Sequence, residues 1–86
     1  MPGSDERPRV TLYTRAGCCL CDEAKQQLRA ARRRAAFDLE EVDVDADPAL
    51  RALYSDEVPV IAINGRKAFK HRVTEREFLD KLGRRT

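Results

Sequence analysis

The hydrophobic positions of the chain change their period along its length, and each change marks a new element. Residues 9–14 (RVTLYT) are rich in β-branched and large apolar residues and predict a strand. A helix is predicted from Cys18 or Cys19 to about Ala35, because apolar residues recur there at steps of four, four, three and four. The residues of this stripe are Leu20, Ala24, Leu28, Ala31 and Ala35.

A second strand and a short helix are predicted next. Residues 37–44 alternate between apolar and acidic side chains, and the adjacent acids Glu40 and Glu41 predict an irregularity in that strand. Asp47 suits the N-cap of a helix and Pro48 suits its first turn, so a short helix should follow the strand.

The last third of the chain predicts a hairpin and a closing helix. The apolar run at 58–63 (VPVIAI) suits a central strand, and Asn64-Gly65 favours a type I′ turn into an antiparallel return over 66–73. Thr74 to Glu77 forms a capping box for a final helix that Gly83 ends. The order β-α-β-α-β-β-α predicts an α/β fold with a four-stranded mixed sheet and helices on both faces. The first three strands should be parallel.

Length and composition place this pattern in one small domain. The chain has 86 residues, of which 42% are hydrophobic and 37% are charged. We expect a flexible tail over 1–8 and a single domain over 9–86. No secretory signal or membrane-length apolar run occurs, so we expect a cytoplasmic monomer with no membrane partner. The net charge is only +2, so we expect no nucleic-acid partner. The basic cluster at Arg32–Arg34 suits a solvated helix face.

All three cysteines lie in one stretch, TRAGCCLCDEAKQQL, at the predicted start of the first helix. Cys18 and Cys21 form a C-x-x-C pair, and Cys19 lies between them. The N-terminus of a helix offers unpaired N–H groups and a positive dipole end, and both stabilise a thiolate over a thiol. Because structural disulfides are rare in the cytosol, clustered thiols there favour redox chemistry or metal binding.

The stretches VTLYTRAGC-CL-C and EVPVIAING together resemble the glutaredoxin-like branch of the thioredoxin-fold family. The resemblance implies that Cys18 is the nucleophile and Cys21 the resolving thiol. It also implies a cis peptide at Val58-Pro59 that faces the cysteines and offers the backbone of Val58 to an extended substrate. Arg15 matches a basic position that contacts a glutathione carboxylate in glutaredoxins.

Three features depart from the glutaredoxin pattern. Cys19-Leu20 replaces the usual Pro-Tyr between the cysteines, and KAFKHRVTE lacks the Gly-Gly and Asp that hold the γ-glutamyl end of glutathione. Residues 66–72 are strongly basic. The resemblance therefore implies the fold and the dithiol chemistry, and it leaves glutathione recognition open.

The expected activity is that of an enzyme, a thiol–disulfide oxidoreductase acting on protein disulfides or glutathione mixed disulfides. No bound cofactor or metal is expected, and glutathione or a reductase would recycle the protein. Cys19 is either a passive replacement for proline or a third thiol that exchanges with the pair. Two other hypotheses stay open, namely a thiolate site for a metal or iron–sulfur cluster and a redox-inactive binding module. His71, the single histidine, is expected at the surface rather than as a ligand.

Overall fold

The computed structural model describes residues 7–83 and confirms the predicted order of elements. The sheet has the strand order β2-β1-β3-β4 and is mixed, as predicted. The elements are β1 (Arg9–Thr14), α1 (Cys19–Arg32), β2 (Asp38–Asp43), a 3-10 turn (Val44–Ala46), α2 (Pro48–Tyr54), β3 (Val60–Ile63), β4 (Arg66–Lys70) and α3 (Glu75–Gly83).

The prediction that the first three strands are parallel is wrong for β3. Strand β1 pairs in parallel with β2 but antiparallel with β3, which in turn pairs antiparallel with β4. Helix length explains the difference. The 14 residues of α1 rise about 21 Å, enough to return the chain along a six-residue strand of about 20 Å. The seven residues of α2 rise only about 10 Å, so the chain enters β3 near the end of the sheet where β2 stopped.

Strand register departs from the prediction at one place and confirms it at another. The β1–β2 ladder runs without a shift from Arg9–Asp38 to Thr14–Asp43, so the irregularity expected at Glu40–Glu41 is absent there. The shift lies instead in the β3–β4 pair, where Ile61 faces Phe69 but Ala62 faces Lys67. In the hairpin, Asn64 and Gly65 have φ of 53° and 86°, as a type I′ turn requires.

The two faces of the sheet carry separate hydrophobic clusters. On one face, β1 contributes Val10 and Leu12, which pack with apolar residues of α1 and α3. Phe78 of α3 is fully buried there, with its ring centroid 5.1 Å from that of Phe37. On the other face, Tyr13 of β1 lies 4.7 Å from Tyr54 of α2, centroid to centroid. Helices therefore cover both faces, as predicted.

The ends of two predicted segments fall at other residues than expected. Pro8, which the sequence places in the flexible tail, is buried, and its carbonyl accepts a hydrogen bond from Asp38 N–H at 3.0 Å. Residues 1–6 of the predicted tail lie outside the described residues, as do residues 84–86. Helix α1 ends at Arg32 rather than at Ala35, which still packs against the core from the turn that follows. No helix within residues 7–83 has the length and apolar character needed to cross a membrane.

Candidate active site

A tight turn brings the first cysteine of the C-x-x-C pair to the start of α1. Gly17 has a φ of +77°, a left-handed conformation that glycine adopts without steric cost. Cys18 then takes the N-cap position with an extended backbone, and its Sγ accepts a hydrogen bond from Cys21 N–H at 3.1 Å. The sulfur therefore caps one of the free N–H groups of the helix, which is the environment that stabilises a thiolate.

The three cysteines, all of them free thiols, differ sharply in exposure. Cys18 is partly buried, Cys19 is exposed, and Cys21 is only 1% exposed. Residues three apart on a helix share a side, whereas the next residue is turned by about 100°. Cys18 and Cys21 consequently lie on the side that faces the protein, and Cys19 points away from them into solvent.

Cys21 lies in the smaller of the two hydrophobic clusters. It packs with Val44 and Val58, and Cys18 lies at the edge of the same cluster. Burial raises the pKa of the Cys21 thiol, and hydrogen bonding between the Cys21 and Cys18 side chains acts in the same direction. The Thr14 hydroxyl and the Arg15 backbone N–H oppose this rise in the Cys21 pKa. The result is a partly exposed sulfur backed by a buried, protonated one.

The segment before β3 contacts the cysteines as the family resemblance implied. The Val58–Pro59 peptide bond is cis, and Val58 packs in the Cys21 cluster. The N–H of Val58 donates to the Tyr54 carbonyl at 3.1 Å, so an incoming peptide would compete with that carbonyl for it. The Pro59 carbonyl accepts a hydrogen bond from His71 N–H at 2.8 Å.

Arg15 lies beside the site but is held by protein groups. Its guanidinium forms a salt bridge with Asp45 at 3.1 Å and donates from Nη1 to the Ser55 carbonyl at 3.3 Å. These contacts use three of its five N–H donors. The expected contact between Arg15 and a glutathione carboxylate stays a prediction, and only the remaining two donors are available for it.

Each residue of the loop 55–57, which directly precedes the cis peptide, is contacted by a basic side chain. Besides Arg15 at Ser55, the ring Nε2 of His71 lies 3.2 Å from the Asp56 carbonyl oxygen. Lys67 Nζ lies 2.8 Å from Glu57 Oε1, and this contact lowers the pKa of the Glu57 carboxyl. His71 is exposed, as expected, and it has a left-handed φ of 68°.

A groove of about 280 Å³ runs from the first turn of α1 to the start of α3. Leu20, Glu23, His71 and Arg72 are among its lining residues. Glu23 places a negative charge and Arg72 a positive charge in the lining of this groove. Its lining includes residues of the KAFKHRVTE stretch, which lacks the Gly-Gly and Asp of the glutaredoxin pattern.

Sequence reasoning missed Thr14 and Asp45, two residues of this region. A signal existed for Thr14, because strand alternation after Val10 and Leu12 turns its side chain inward. No local pattern pairs Asp45 with Arg15, which lies 30 residues away. Within the part of the chain that the structure describes, no group of three or more His, Cys, Asp or Glu side chains is arranged to hold a metal ion.

Comparison with known proteins covers nearly the whole described chain. Residues 9–83 match the model of the glutaredoxin-like domain (DUF836). An uncharacterized protein of Mycobacterium tuberculosis is 35% identical over 85 residues, which cover 93% of this chain and 88% of that protein. A glutaredoxin-like protein of Dictyostelium discoideum is 32% identical over 72 residues, covering 77% of this chain and 67% of its own length.

Solved structures place the fold in the same group. A structural genomics target from X. campestris superposes with a TM-score of 0.75 at 33% identity, covering 86% of this chain and 95% of that one. Chloroplastic thioredoxin z gives a TM-score of 0.73 at 14% identity, with 94% and 80% covered, and shows the fold alone. With its thiols at the start of α1 and a cis peptide packed against them, this chain belongs to the glutaredoxin-like domain family within the thioredoxin fold.

Proposed function

We propose that the protein is a thiol–disulfide oxidoreductase that works through Cys18 and Cys21. One observation carries the proposal, namely the hydrogen bond of 3.1 Å from Cys21 N–H to Cys18 Sγ. It puts the partly exposed sulfur at the point where the helix stabilises negative charge and holds the buried sulfur one turn behind it. A nucleophile and a resolving thiol need this difference in exposure.

The reaction transfers two electrons to a substrate disulfide. The Cys18 thiolate attacks one sulfur of the substrate, forms a mixed disulfide and releases the other substrate sulfur, which takes a proton. Cys21 then loses its proton and attacks Cys18 Sγ, which forms the Cys18–Cys21 disulfide and releases the second substrate thiol. One substrate disulfide becomes two thiols while the protein dithiol becomes a disulfide.

A thiol reductant must return the protein to its dithiol form. Two molecules of glutathione or one dithiol of a reductase supply the two electrons required. The groove at Leu20 and Arg72 is the surface on which glutathione would lie, and Val58 the one for an extended protein substrate. Protein disulfides and glutathione mixed disulfides are both substrates under this proposal, and comparing their rates distinguishes the two surfaces.

Single cysteine variants test the proposal. Reduction of a glutathione–peptide mixed disulfide should be abolished in Cys18→Ser, and Cys21→Ser should accumulate a protein–substrate mixed disulfide that mass spectrometry detects. Cys19→Ser is the matched control and should keep the activity, because its exposed side chain lies outside the pair. Full activity of Cys18→Ser would overturn the assignment and move the nucleophile to Cys19.

Thiol titration of the intact protein separates the remaining hypotheses. Reversible oxidation by two electrons per chain, with a disulfide between Cys18 and Cys21, supports the oxidoreductase. The absence of such a couple would favour a binding module. Stoichiometric metal or iron–sulfur colour in anaerobically purified protein, lost on substitution of the thiols, would favour metal handling instead.

A further inference from the structure

We propose that Thr14 is a positioning residue for the second step, in which its hydroxyl donates a hydrogen bond to the thiolate of Cys21. The inference rests on the proposed function, because it concerns the resolving thiol of that reaction. It gives a role to a residue to which neither the C-x-x-C motif nor the glutaredoxin resemblance assigned one.

The Thr14 hydroxyl is buried without a geometric hydrogen bond among the described residues. Thr14 is 8% exposed, and within residues 7–83 it is the single buried residue classed as polar or charged. Its Oγ1 is fully enclosed and has no hydrogen-bond partner within residues 7–83. Buried hydroxyls are nearly always satisfied, so an unpaired one next to reactive groups points to a partner that forms during the reaction.

The position of Thr14 explains why that partner is Cys21. Thr14 is the last residue of β1, and strand alternation places its side chain on the same face as Leu12, under the first turn of α1. Cys21 is the buried cysteine of that turn and continues the buried stripe of α1, whose Ala24 and Leu28 pack on the same face as Leu12. The lowering effect of the Thr14 hydroxyl on the pKa of Cys21 agrees with this placement.

The protonation state of Cys21 decides how strong this contact is. A neutral thiol is a weak acceptor, so it leaves the hydroxyl poorly satisfied, whereas a thiolate accepts a charge-assisted hydrogen bond. The other titratable side chains packed in this cluster are Cys18, Tyr13 and Tyr54, none of which is cationic. The Arg15 guanidinium beside the site is engaged by the Asp45 carboxylate and the Ser55 carbonyl. Burial disfavours the Cys21 thiolate, and the Thr14 hydroxyl, together with the Arg15 backbone N–H, offsets part of that cost.

In the second step Thr14 keeps its own proton. Cys21 gives its proton to solvent, its sulfur attacks Cys18 Sγ, and the bond from Cys18 to the substrate sulfur breaks. The substrate leaves as a thiolate that takes up a proton, so the step is balanced without any further oxidant or reductant. Thr14 donates a hydrogen bond to Cys21 sulfur while it carries the negative charge.

The test follows the second step alone. In a Cys19→Ser background, Cys18 attacks Ellman's reagent, which forms a mixed disulfide at Cys18 and releases one coloured thiolate. The attack of Cys21 on Cys18 then releases the second coloured thiolate, whose appearance is the rate measured. We expect Thr14→Val, which keeps the shape of the side chain, to slow this release about tenfold at neutral pH and to shift the midpoint of its pH profile upward. Thr14→Ser should restore both the rate and the midpoint.

Thr11→Val is the matched control. Thr11 lies on the same strand but on the opposite face, so its hydroxyl is remote from the thiols. The Thr11→Val variant should therefore release the thiolate at the rate of the parent. Release within twofold of the parent in Thr14→Val, with an unmoved midpoint, would overturn the inference.

A second readout keeps the two proposals apart. If the parent protein itself releases no thiol from the Cys18 adduct, the proposed function fails regardless of Thr14. Titration of the Cys21 thiolate by ultraviolet absorbance, with Cys18 blocked by methylation, then still decides the Thr14 contact. A midpoint that rises in Thr14→Val and returns in Thr14→Ser supports it, and identical midpoints in all three contradict it.

Discussion

Arg15 and Asp45 form a two-point ion pair, with Nε donating to Oδ2 and Nη2 donating to Oδ1, each at 3.1 Å. The pair joins the turn before the cysteines to the 3-10 turn that follows β2. Because the same guanidinium also donates to the Ser55 carbonyl, it connects both segments to the loop of the cis peptide. The surroundings of Cys18 thus depend on a side chain that sequence comparison alone would assign to substrate.

Breaking this pair should destabilise the fold by a modest amount. The two side chains are 36% and 34% exposed, so solvent screens them, and we expect Arg15→Ala and Asp45→Ala each to lower the free energy of unfolding by about 1 kcal/mol. The double variant should cost less than the sum, since either change alone removes the pair. Urea denaturation of the four proteins measures the coupling. Strictly additive losses would mean that the pair contributes nothing.

The buried thiol makes stability depend on pH in a known direction. Because burial raises the pKa of Cys21, the folded protein keeps this proton to higher pH than the unfolded chain does. The contribution to stability is complete below the ordinary thiol pKa of about 8.5 and is lost as pH rises through the raised value of the folded state. Unfolding followed from neutral to alkaline pH should therefore show a steeper loss in the parent than in Cys21→Ser. Cys19→Ser, which removes an exposed thiol, should follow the parent, and equal slopes in all three proteins would contradict the prediction.

Phe78 of α3, which packs against two other aromatic rings, should contribute more than most residues to the stability of the larger core. Phe78 is fully buried with its ring near those of Phe37 and Phe69, and Phe78→Ala should cost about 3–5 kcal/mol. Phe78→Leu, at about 1 kcal/mol, keeps the comparison measurable if the alanine variant fails to fold. Leu53, which is 63% exposed on α2, is the control, and its replacement by alanine should change stability by less than about 0.5 kcal/mol. Equal losses at Phe78 and Leu53 would show that this core is assigned wrongly.

Local patterns predicted the elements, and long-range packing determined how they are joined. The Asn64-Gly65 turn and the caps at Asp47 and Thr74 are local, and the structure has all of them. The direction of β3 depends on how far α2 carries the chain, which a list of alternating elements does not state. The shift between Ile61 and Ala62 depends on what β4 presents across the sheet and has no local signature.

The candidate site divides in the same way. The pairing of Cys18 with Cys21 follows from the C-x-x-C motif at a helix start, and the cis Val58–Pro59 bond was implied by the family resemblance. The Arg15–Asp45 contact joins residues 30 apart, and the His71 ring reaches the Asp56 carbonyl from 15 positions away. Such partners are chosen by the tertiary fold, so no motif in one sequence reveals them.

The exposed position of Cys19 has a numerical consequence. Three cysteines cannot all form disulfides within one molecule, so a chain with a Cys18–Cys21 disulfide still carries the free thiol of Cys19 on its surface. Counting reactive thiols before and after gentle oxidation should go from three to one, and any dimer that forms on prolonged exposure to air should be linked through that leftover atom.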